Sequence, residues 1–434
     1  MKLSVWLENA QQPVGTLERA PDKSLRFTYS PNAAYPISLS MPVREEPYSD
    51  AACLGYFGNL LFEVEELERV VAAHGVDRDD IGNLLYHLGA DCPGAVSVTP
   101  EGTGPGKRPG RFPDDYEEIS RDQMTTIVGS LHRHGRLPDT NRDPSPLAGV
   151  QPKMAVVFRN GTFYQPRDGS RAPTTHILKV SPAKDLFQSR YEATLLGFAT
   201  KIGLATADTE FCSFAVGSND VGAILSTRFD RTIEDTQISR VHSEDFCQAL
   251  GLPGHLKYER KAVGQDRRFS AAAVGRLAAS MAVPAQFQMA FLSQTLFNLA
   301  VGNTDNHAKN HSILYRGTHG ELAPLYDAVP ITIDPNWTHH LAFNIGSASW
   351  SEDVTVPALE EFMRHLGLVR PTFGPKWRDL LCRIGKEGVA YFRAEGGKHL
   401  ADGIGAQMDV LQQATGLNLS LPELDYFPRP VRDQ

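Results

Sequence analysis

Hydrophobic residues alternate with polar ones near the start of the chain. Leu3, Val5 and Leu7 follow this period of two, and short apolar runs at 14–18 and 25–29 come after spacers rich in turn-forming residues. Alternation of this kind is typical of strands that bury one face. The pattern predicts a small antiparallel sheet at the beginning of the protein.

The hydrophobic spacing then changes to that of helices. Helices are expected at about 64–74 and at 77–88, where Asp77 can cap the second helix. The stretch 99–115 is instead rich in Gly, Pro and Arg, which predicts a linker whose basic residues, Lys107 among them, face solvent. A first domain is therefore expected to end near residue 115.

The middle of the chain predicts a second group of strands. Two apolar runs, 154–158 and 162–164, flank Asn160-Gly161, and an Asn-Gly pair between such runs is a strong hairpin signal. The remainder of the chain is predicted to be mainly helical. Further strands are expected at 175–180, 210–216 and 222–229, and helices at 120–134, 188–203, 242–251, 283–300, 357–368, 375–393 and 404–416.

Polar residues cluster directly after one of these helices. The helical pattern stops at Gly302, and the loop beyond it carries Asp305 and, five positions later, Asn310. Asp327 follows two short runs that predict a strand, a turn and a strand. This spacing is that of a kinase catalytic loop and its metal site, in which the first Asp accepts a hydroxyl proton and the other two side chains hold magnesium.

The same loop contains two histidines, His307 and His311. Four residues apart on a helix, they would suit a zinc pair, but Asn303 and Asn306 disfavour a continuing helix and no Cys or Glu lies at ligand spacing nearby. The metal-hydrolase interpretation therefore ranks below the kinase interpretation. An alternative role for His307 is to order the loop through hydrogen bonds.

Candidate phosphate-binding residues lie earlier in the chain. The small residues at 148–153 would let backbone N–H groups approach phosphates, although this stretch is not a Walker A loop. Lys179 ends an apolar strand and Glu192 lies in the next helix. Kinases have the lysine that holds the α- and β-phosphates and its helix-borne glutamate in this order. The strand at 222–229 then corresponds to the one that leads to the hinge between kinase lobes.

Composition and charge argue against some classes of function. The 434 residues exceed what one ordinary core supports, so two or three structural units are expected. A formal charge of −8 argues against an intrinsic affinity for nucleic acid. Five scattered cysteines suit free thiols in a reducing compartment, and we expect neither a signal peptide nor a membrane span. The cytoplasm is the expected compartment.

Taken together, these stretches resemble those of the HipA family, the serine/threonine kinase toxins of bacterial type II toxin–antitoxin modules. The matching stretches occur in family order and, with the small N-terminal domain, cover nearly the whole chain. They are 148–153, 175–179, 227–231, 244–248, 304–310 and 326–327.

The resemblance implies an α+β fold, namely a two-lobed protein-kinase-like fold with a small N-terminal α+β domain and a mainly helical C-terminal lobe. It suggests an N-terminal subdomain at 1–115, a kinase N-lobe at 116–235 and a C-lobe at 236–434. ATP and Mg²⁺ are the implied cofactors.

The resemblance also implies a role for each matching residue. Asp305 would be the catalytic base, Asn310 and Asp327 the metal ligands, and Lys179 the ligand of the α- and β-phosphates, supported by Glu192. Thr227 to Phe229 would form the hinge. The implied ATP-binding residues are Ala148, Gly149, Val150, Gln151, Pro152, Lys153, Lys179, Thr227, Arg228, Phe229, His307, Lys309, Asn310, Tyr326 and Asp327.

Family members phosphorylate cellular proteins, with aminoacyl-tRNA synthetases as the known substrate class, and so stall translation and growth. A small, HipB-like helix-turn-helix antitoxin neutralises them and carries them onto operator DNA. No membrane partner is implied. One departure concerns the serine that family members commonly phosphorylate on themselves: Pro146 stands in its position and fixes the local backbone, so the adjacent Ser145 is the candidate.

The leading hypothesis is an active protein kinase. A pseudokinase that serves as corepressor or scaffold for the antitoxin is the alternative, and the intact Lys179, Asp305, Asn310 and Asp327 weigh against it. A small-molecule kinase on the same fold is the third hypothesis.

Overall fold

The structure, a computed structural model, describes residues 1–8, 10–61, 71, 75–138, 151–262, 264, 267–317 and 319–422. The predicted helix at 64–74, apart from residue 71, lies outside the described residues, as do Ala148, Gly149, Val150 and Ser145. The chain forms two compact units. Unit 1 comprises Met1–Ser189, Glu210–Gly254 and Ser312–Thr318, and unit 2 comprises Arg190–Thr209, His255–His311 and His319–Gln434.

The strands are numbered in chain order. Strands β1 to β18 are Lys2–Leu7, Gly15–Arg19, Leu25–Tyr29, Val96–Pro100, Gly110–Arg111, Tyr116–Glu118, Lys153–Arg159, Thr162–Pro166, His176–Val180, Thr209–Val216, Asn219–Thr227, Arg231–Glu234, Gln237–Arg240, Ser243–Asp245, Ser312–Tyr315, Gly320–Leu322, His340–Ile345 and Ala348–Trp350.

The α-helices are identified by their bounds. They are Asp50–Phe57, Ile81–Leu88, Arg121–His134, Gln188–Lys201, Phe246–Leu250, Ala271–Ala279, Pro284–Ala300, Val356–His365, Pro375–Arg383, Val389–Glu395 and Lys398–Thr415. No helix among the described residues combines the length and the apolarity that crossing a bilayer requires.

Strands β1 to β4 form the first sheet of unit 1, in the order β3-β2-β1-β4 with antiparallel neighbours. The alternation in the sequence has its cause here, because Leu3, Val5, Leu17 and Phe27 are fully buried in one core. The predicted sheet is confirmed. Strand β4 is an addition that we did not predict, although its Val-Ser-Val-Thr run alternates; four of its five residues are buried.

The helix predicted at 77–88 begins later than expected. It spans Ile81–Leu88, and the Asp80 carboxylate caps it by accepting from the N–H of Asn83. Asp77 as the cap was wrong, because its carboxylate forms an ion pair with Lys23 instead.

The predicted linker contains ordered, partly buried structure. Strand β5 pairs with β13 in the described structure. Lys107 is buried, with its Nζ 3.4 Å from the Asp91 carboxylate and 3.3 Å from the carbonyl oxygen of Ala172. Solvent exposure of Lys107 was therefore a wrong expectation, because its charge has a buried partner. The side chain of Arg108 is exposed as expected.

The second sheet of unit 1 has the order β10-β11-β9-β7-β8-β6. Strands β7 and β8 join at Asn160 and Gly161, whose φ angles are 51° and 78°, so both turn residues lie in the left-handed region that Asn-Gly pairs favour. Helix Arg121–His134 buries Val128 and Leu131 in the core under this sheet. The predicted hairpin and helix are confirmed.

Residues 242–251 were expected to form one helix, but their first part is a strand. Strand β14 pairs with β15, and helix Phe246–Leu250 follows it. Asp245 caps this helix by accepting from the Gln248 N–H at 2.8 Å, and Gln248 Oε1 accepts from the Asp245 N–H at 2.9 Å. A pairing with a distant segment thus overrides the local helical pattern.

Glu244 of β14 is buried and accepts three hydrogen bonds. The Ser38 hydroxyl donates at 2.5 Å, the Leu39 N–H donates at 3.0 Å, and the Tyr315 hydroxyl donates to the same carboxylate. Burial raises the pKa of Glu244 to about 7. This side chain joins the N-terminal segment to β15, which begins two residues after Asn310.

Unit 2 contains the long buried helix Pro284–Ala300. Phe287, Phe291 and Leu296 are buried, as the helical spacing predicted. Its one buried glutamine, Gln294, donates to the carbonyl oxygen of Ala323 at 3.0 Å, so that its amide is not left without a partner. The predicted helix is confirmed.

The helix predicted at 375–393 is interrupted. Helices Pro375–Arg383 and Val389–Glu395 flank a π-helical turn at Ile384–Gly388. A Cβ at Gly388 would lie 3.0 Å from the ring of Phe198, so this turn packs too closely for a larger residue. The other helices predicted in this part are present, although the last one begins at Lys398, six residues before its predicted start.

Candidate active site

The loop at 301–311, here called the Asp305 loop, is fixed close to its start. Gly302 has a φ of 75°, and a Cβ there would lie 1.9 Å from Thr332 Oγ1, so only glycine fits. Asn303 Nδ2 donates to Asn298 Oδ1 at 3.0 Å and to the carbonyl oxygen of Asp327 at 3.4 Å. The end of the long helix and the segment around Asp327 are thereby held together.

Asp305 has a half-buried carboxylate with a specific donor. The Tyr258 hydroxyl donates to Oδ1, and Asn310 Nδ2 donates to the main-chain oxygen of Asp305 at 3.1 Å. Burial raises the pKa of Asp305, the Tyr258 hydrogen bond and the Lys257 charge oppose this, and the negative charge of Asp327 adds to the rise. The two carboxylates are therefore close enough to repel each other.

Asp327 adopts a backbone conformation that is rare for its residue type. Its φ is 56°, in the left-handed region. Two residues earlier, the main-chain N–H and carbonyl oxygen of Leu325 both form hydrogen bonds of 2.8 Å with the segment 205–207. The Tyr326 hydroxyl donates to the carbonyl oxygen of Lys309 at 3.0 Å. Unusual backbone angles held by such contacts cluster at functional sites. The Tyr326 hydrogen bond thus links the segment that carries Asp327 to Lys309.

His307 is buried beside these groups. Its main-chain N–H donates to the Asp305 carbonyl oxygen at 2.7 Å, and its ring meets that of Tyr258 edge to face, with centroids 5.1 Å apart. Burial, assisted by the Lys257 charge, lowers the pKa of His307 to about 3, so the ring is neutral at pH 7. Its Nδ1 is buried without a hydrogen-bond partner, which is an atom that a bound molecule could satisfy.

His311 does not form a zinc pair with His307. Its Nε2 donates to Asn306 Oδ1, and its ring packs against Phe291 with centroids 5.0 Å apart. The residues between the two histidines form a short 3₁₀ turn, and the described residues contain no group of three or more His, Cys, Asp or Glu that could hold a metal. His311 is therefore a core histidine, and its pKa falls to about 3 through burial.

The phosphate-side residues that the structure describes gather on the second sheet of unit 1. Lys153 on β7 lies opposite Lys179 on β9, and the carbonyl oxygen of Pro152 accepts from the residue after Lys179 at 2.8 Å. Gln151 Nε2 donates to the Ser189 hydroxyl at 3.2 Å, and this hydroxyl donates to the Lys179 carbonyl oxygen at 3.3 Å. The end of the predicted phosphate loop is thus tied to the lysine strand.

The predicted hinge begins where β11 ends, at Thr227. The Arg228 N–H donates to the Thr175 carbonyl oxygen at 2.9 Å, and the Arg228 guanidinium is buried against Asp230 at 3.0 and 2.9 Å. Phe229 is half-buried. The side chain of Arg228 is therefore committed to Asp230 and its main-chain N–H to Thr175.

Lys179 and Glu192 are both buried, but they belong to different units. Lys179 lies on β9 of unit 1, and Glu192 lies on helix Gln188–Lys201 in its unit 2 part. Both secondary structures are as the sequence predicted. Their pairing stays a prediction.

Comparison with known proteins decides the family. The model of the HipA-like C-terminal domain matches residues 145–384, and that of the HipA N-terminal domain matches residues 3–99. The chain belongs to the HipA family. It is accordingly a serine/threonine-protein kinase, and kinases use ATP.

Individual relatives support this membership. The chain is 32% identical over 380 residues to a Sinorhizobium fredii protein named as kinase Y4mE, covering 85% of this chain and 86% of the relative. It is 28% identical over 349 residues to the serine/threonine-protein kinase toxin HipA of Shewanella oneidensis, covering 78% and 76%. The solved structure of Shewanella oneidensis HipA with HipB and operator DNA matches 95% of this chain and 99% of that chain, with a TM-score of 0.78 at 22% identity. The α+β, kinase-like fold is confirmed.

In a HipA-family kinase, Asn310 and Asp327 fit a magnesium ion. The amide nitrogen of Asn310 donates to Asp305, so its oxygen is the atom left to face a cation. Repulsion between the carboxylates of Asp305 and Asp327 would be relieved by a positive charge beside them. Magnesium often takes only one or two protein oxygens, with water and phosphate as further ligands, so a closed cage of protein ligands is not needed.

Tyr258 is the site residue that the sequence patterns missed. It contacts both Asp305 and His307, and the Arg260 guanidinium lies over its ring at 4.1 Å from the centroid. It lies in an irregular segment, so hydrophobic periodicity gives no signal there. An aromatic residue flanked by Lys257 and Arg260 is the only mark that the sequence carries.

Proposed function

We propose that this HipA-family kinase transfers the γ-phosphate of ATP to a serine or threonine of a cellular protein, with Asp305 as the base. The observation that carries the proposal is the contact of Asn310 with Asp305, at 3.1 Å, together with the electrostatic influence of Asp327 on the same carboxylate. These are the residue types that a kinase uses for proton acceptance and metal binding. The hydrogen bond from Tyr258 orients the carboxylate.

In the proposed reaction, each residue has one task. Because Oδ1 of Asp305 accepts from Tyr258, the other carboxylate oxygen receives the proton of the substrate hydroxyl. The new O–P bond forms as the bond to the ADP leaving group breaks. Magnesium, when bound through Asn310 and Asp327, offsets the negative charge on the phosphates.

The remaining predicted residues bind the nucleotide. Lys179 would hold the α- and β-phosphates with support from Glu192, and the main chain of Thr227 to Phe229 would face adenine. The residues proposed to complete the ATP site are Ala148, Gly149, Val150, Gln151, Pro152, Lys153, His307, Lys309 and Tyr326.

The proposed biological role follows from the family. A HipB-like helix-turn-helix antitoxin is the proposed partner, because the related Shewanella oneidensis HipA was solved with HipB and operator DNA. The formal charge of −8 supports a DNA contact made mainly through that partner. An aminoacyl-tRNA synthetase is the proposed substrate class, with inhibition of translation and growth as the result. The five free cysteines suit the cytoplasm.

We also propose the domain division 1–115, 116–235 and 236–434. The separate family matches at 3–99 and 145–384 support a boundary between an N-terminal domain and the kinase lobes.

The test is phosphate transfer from labelled ATP in the presence of magnesium to proteins of a bacterial lysate. We expect Asp305→Ala to lower the rate by roughly 10²–10⁴-fold, the usual effect of losing a positioned general base. The matched control is Asp379→Ala, which removes an exposed carboxylate from helix Pro375–Arg383 of the same unit. This control should retain the wild-type rate.

Three results would contradict the proposal. Transfer at the wild-type rate by Asp305→Ala would exclude Asp305 as the base. ATP binding by the wild type without transfer to any protein would favour the pseudokinase scaffold. Label that appears only in a metabolite would favour a small-molecule kinase.

A further inference from the structure

The segment that follows Asp327 carries an exposed tryptophan. The side chain of Trp337 is 63% exposed, and all of residues 335–338 are exposed. Residues 329–331, which are Val, Pro and Ile, are only half-buried, so the apolar surface extends back along the segment toward Asp327. Tryptophan in such a position is characteristic of contacts with other proteins.

This segment is attached to the Asp305 loop at two points. The Thr332 N–H donates to the Gly302 carbonyl oxygen at 3.1 Å, and the Thr304 hydroxyl donates to the Thr338 carbonyl oxygen at 3.4 Å. Thr304 directly precedes Asp305, and Thr338 directly follows Trp337. Trp337 is therefore held beside the loop that carries the proposed base.

A basic segment contacts the same loop. The Ala308 N–H donates to the Lys257 carbonyl oxygen at 3.1 Å, and Arg260 Nη1 donates to the carbonyl oxygen of Leu341 at 3.3 Å, four residues after Trp337. Between residues 257 and 268 the sequence has five basic and two acidic residues. This segment therefore carries an excess of three positive charges.

Two of these cations are well exposed. Lys261 is exposed, and its N–H donates to the Tyr258 carbonyl oxygen at 3.1 Å. Arg268 is exposed and lies 4.0 Å from the Glu259 carboxylate, which itself accepts from a main-chain N–H of β17. Both cations thus belong to segments that contact the Asp305 loop or the strand after Trp337.

We propose that Trp337, Lys261 and Arg268 form the docking surface for the protein substrate. They select segments that carry acidic side chains and an apolar residue close to the phosphorylated serine or threonine. A protein that presents its hydroxyl to Asp305 comes close to both segments, because each is hydrogen-bonded to the Asp305 loop. The inference rests on the proposed kinase function and names the substrate chemistry of that site.

The experiment uses the full chain and four short synthetic peptides, each with one central serine. Their flanks are acidic with a leucine, acidic without leucine, basic with a leucine, or basic without leucine. The wild type should favour the acidic peptide with leucine. For Trp337→Ala we expect kcat/KM for the peptides with leucine to fall by roughly tenfold, as for truncation of an aromatic anchor, so that the preference for leucine is lost. The preference for acidic flanks should remain.

Reversing the charges of Lys261 and Arg268 tests the preference for acidic flanks. The double variant Lys261→Glu with Arg268→Glu should lose the preference for acidic flanks and keep the preference for leucine. Tyr35→Ala is the matched control, because Tyr35 is an aromatic residue of similar exposure, 58%, in the other unit. Its preferences should equal those of the wild type. None of the variants should change the KM for ATP.

The same variants are also assayed for transfer to lysate proteins, which tests the docking surface even if the wild type phosphorylates no peptide. Equal transfer by the wild type and Trp337→Ala at every lysate dilution, or equal peptide preferences, would overturn the docking surface while leaving the kinase function intact. Absence of transfer by the wild type to any protein would instead overturn the proposed function and this inference with it. Loss of antitoxin binding by Trp337→Ala with unchanged substrate transfer would assign the surface to the antitoxin and refute the proposal.

Discussion

The hydroxyl of Tyr258 donates a hydrogen bond to Oδ1 of Asp305, the carboxylate that we propose as the base. This contact links a residue that hydrophobic periodicity does not mark to the centre of the candidate site. The ring of Tyr258 itself contacts both the His307 ring and the Arg260 guanidinium. A carboxylate fixed in this way keeps one oxygen for the donor from Tyr258 and the other for the substrate.

Removal of this hydroxyl should slow catalysis. Hydrogen bonds to charged groups contribute about 1.5–3 kcal/mol, so we expect Tyr258→Phe to lower kcat by roughly 10–100-fold. The KM for ATP should stay unchanged, because Tyr258 acts through Asp305. Steady-state kinetics with Tyr391→Phe as the control check this, since Tyr391 lies on helix Val389–Glu395, outside the Asp305 loop. Equal kcat values for the two variants would count against a positioning role.

The magnesium dependence of the reaction should show whether Asn310 binds the metal ion. If its amide oxygen binds magnesium, Asn310→Ala should raise the magnesium concentration needed for half-maximal transfer by roughly tenfold or more, the scale on which perturbed metal sites lose affinity. A chelator should abolish transfer by the wild type. The measurement is a magnesium titration at saturating ATP, with the exposed Asn219→Ala as control. A titration curve identical to that of the wild type would exclude Asn310 as a ligand.

Gly302 should tolerate no side chain. Its positive φ alone costs an alanine about 1–3 kcal/mol, and the contact of its Cβ with Thr332 adds to that. Gly416→Ala is the matched control, because Gly416 also has a positive φ, 68°, but no atom within 4 Å of its Cβ position. We expect a larger loss of thermal stability and of kinase activity in Gly302→Ala than in the control. Equal losses would mean that the contact with Thr332 is easily relieved.

Glu244 should make stability depend on pH. Burial raises its pKa from an ordinary 4.5 to about 7, so the folded state binds the proton more tightly than the unfolded state does. Its contribution to the free energy of unfolding is complete below pH 4.5 and is lost as the pH rises through 7. At about 1.4 kcal/mol per pKa unit, this amounts to no more than about 3.5 kcal/mol.

The measurement compares urea unfolding of the wild type and Glu244→Gln between about pH 4.5 and 8. Because glutamine does not ionise, the stability advantage of the wild type should shrink over this range by up to about 3.5 kcal/mol. The hydroxyl that faces Glu244 from Tyr315 does not titrate there, since burial holds its pKa well above its usual range. A difference that is constant with pH would show that the pKa of Glu244 is the same in the folded and unfolded states.

Local patterns in the sequence determined much of the secondary structure of this protein. The Asn160-Gly161 pair specified its hairpin, since both residues accept positive φ angles more readily than most others. The apolar spacing of Pro284–Ala300 specified a buried helix, and the five-residue spacing from Asp305 to Asn310 specified the loop that follows it. These features depend on neighbours in the chain, so a sequence is sufficient to find them.

Contacts between residues that are distant in sequence were decided by the tertiary structure alone. Tyr258 reaches Asp305 across 47 positions of sequence, and Lys107 is buried because Asp91 lies beside it. Glu244 lies in a strand rather than a helix because β15 pairs with it. Each of these outcomes depends on a partner that is distant in sequence, and no local preference of the chain contains information about such a partner.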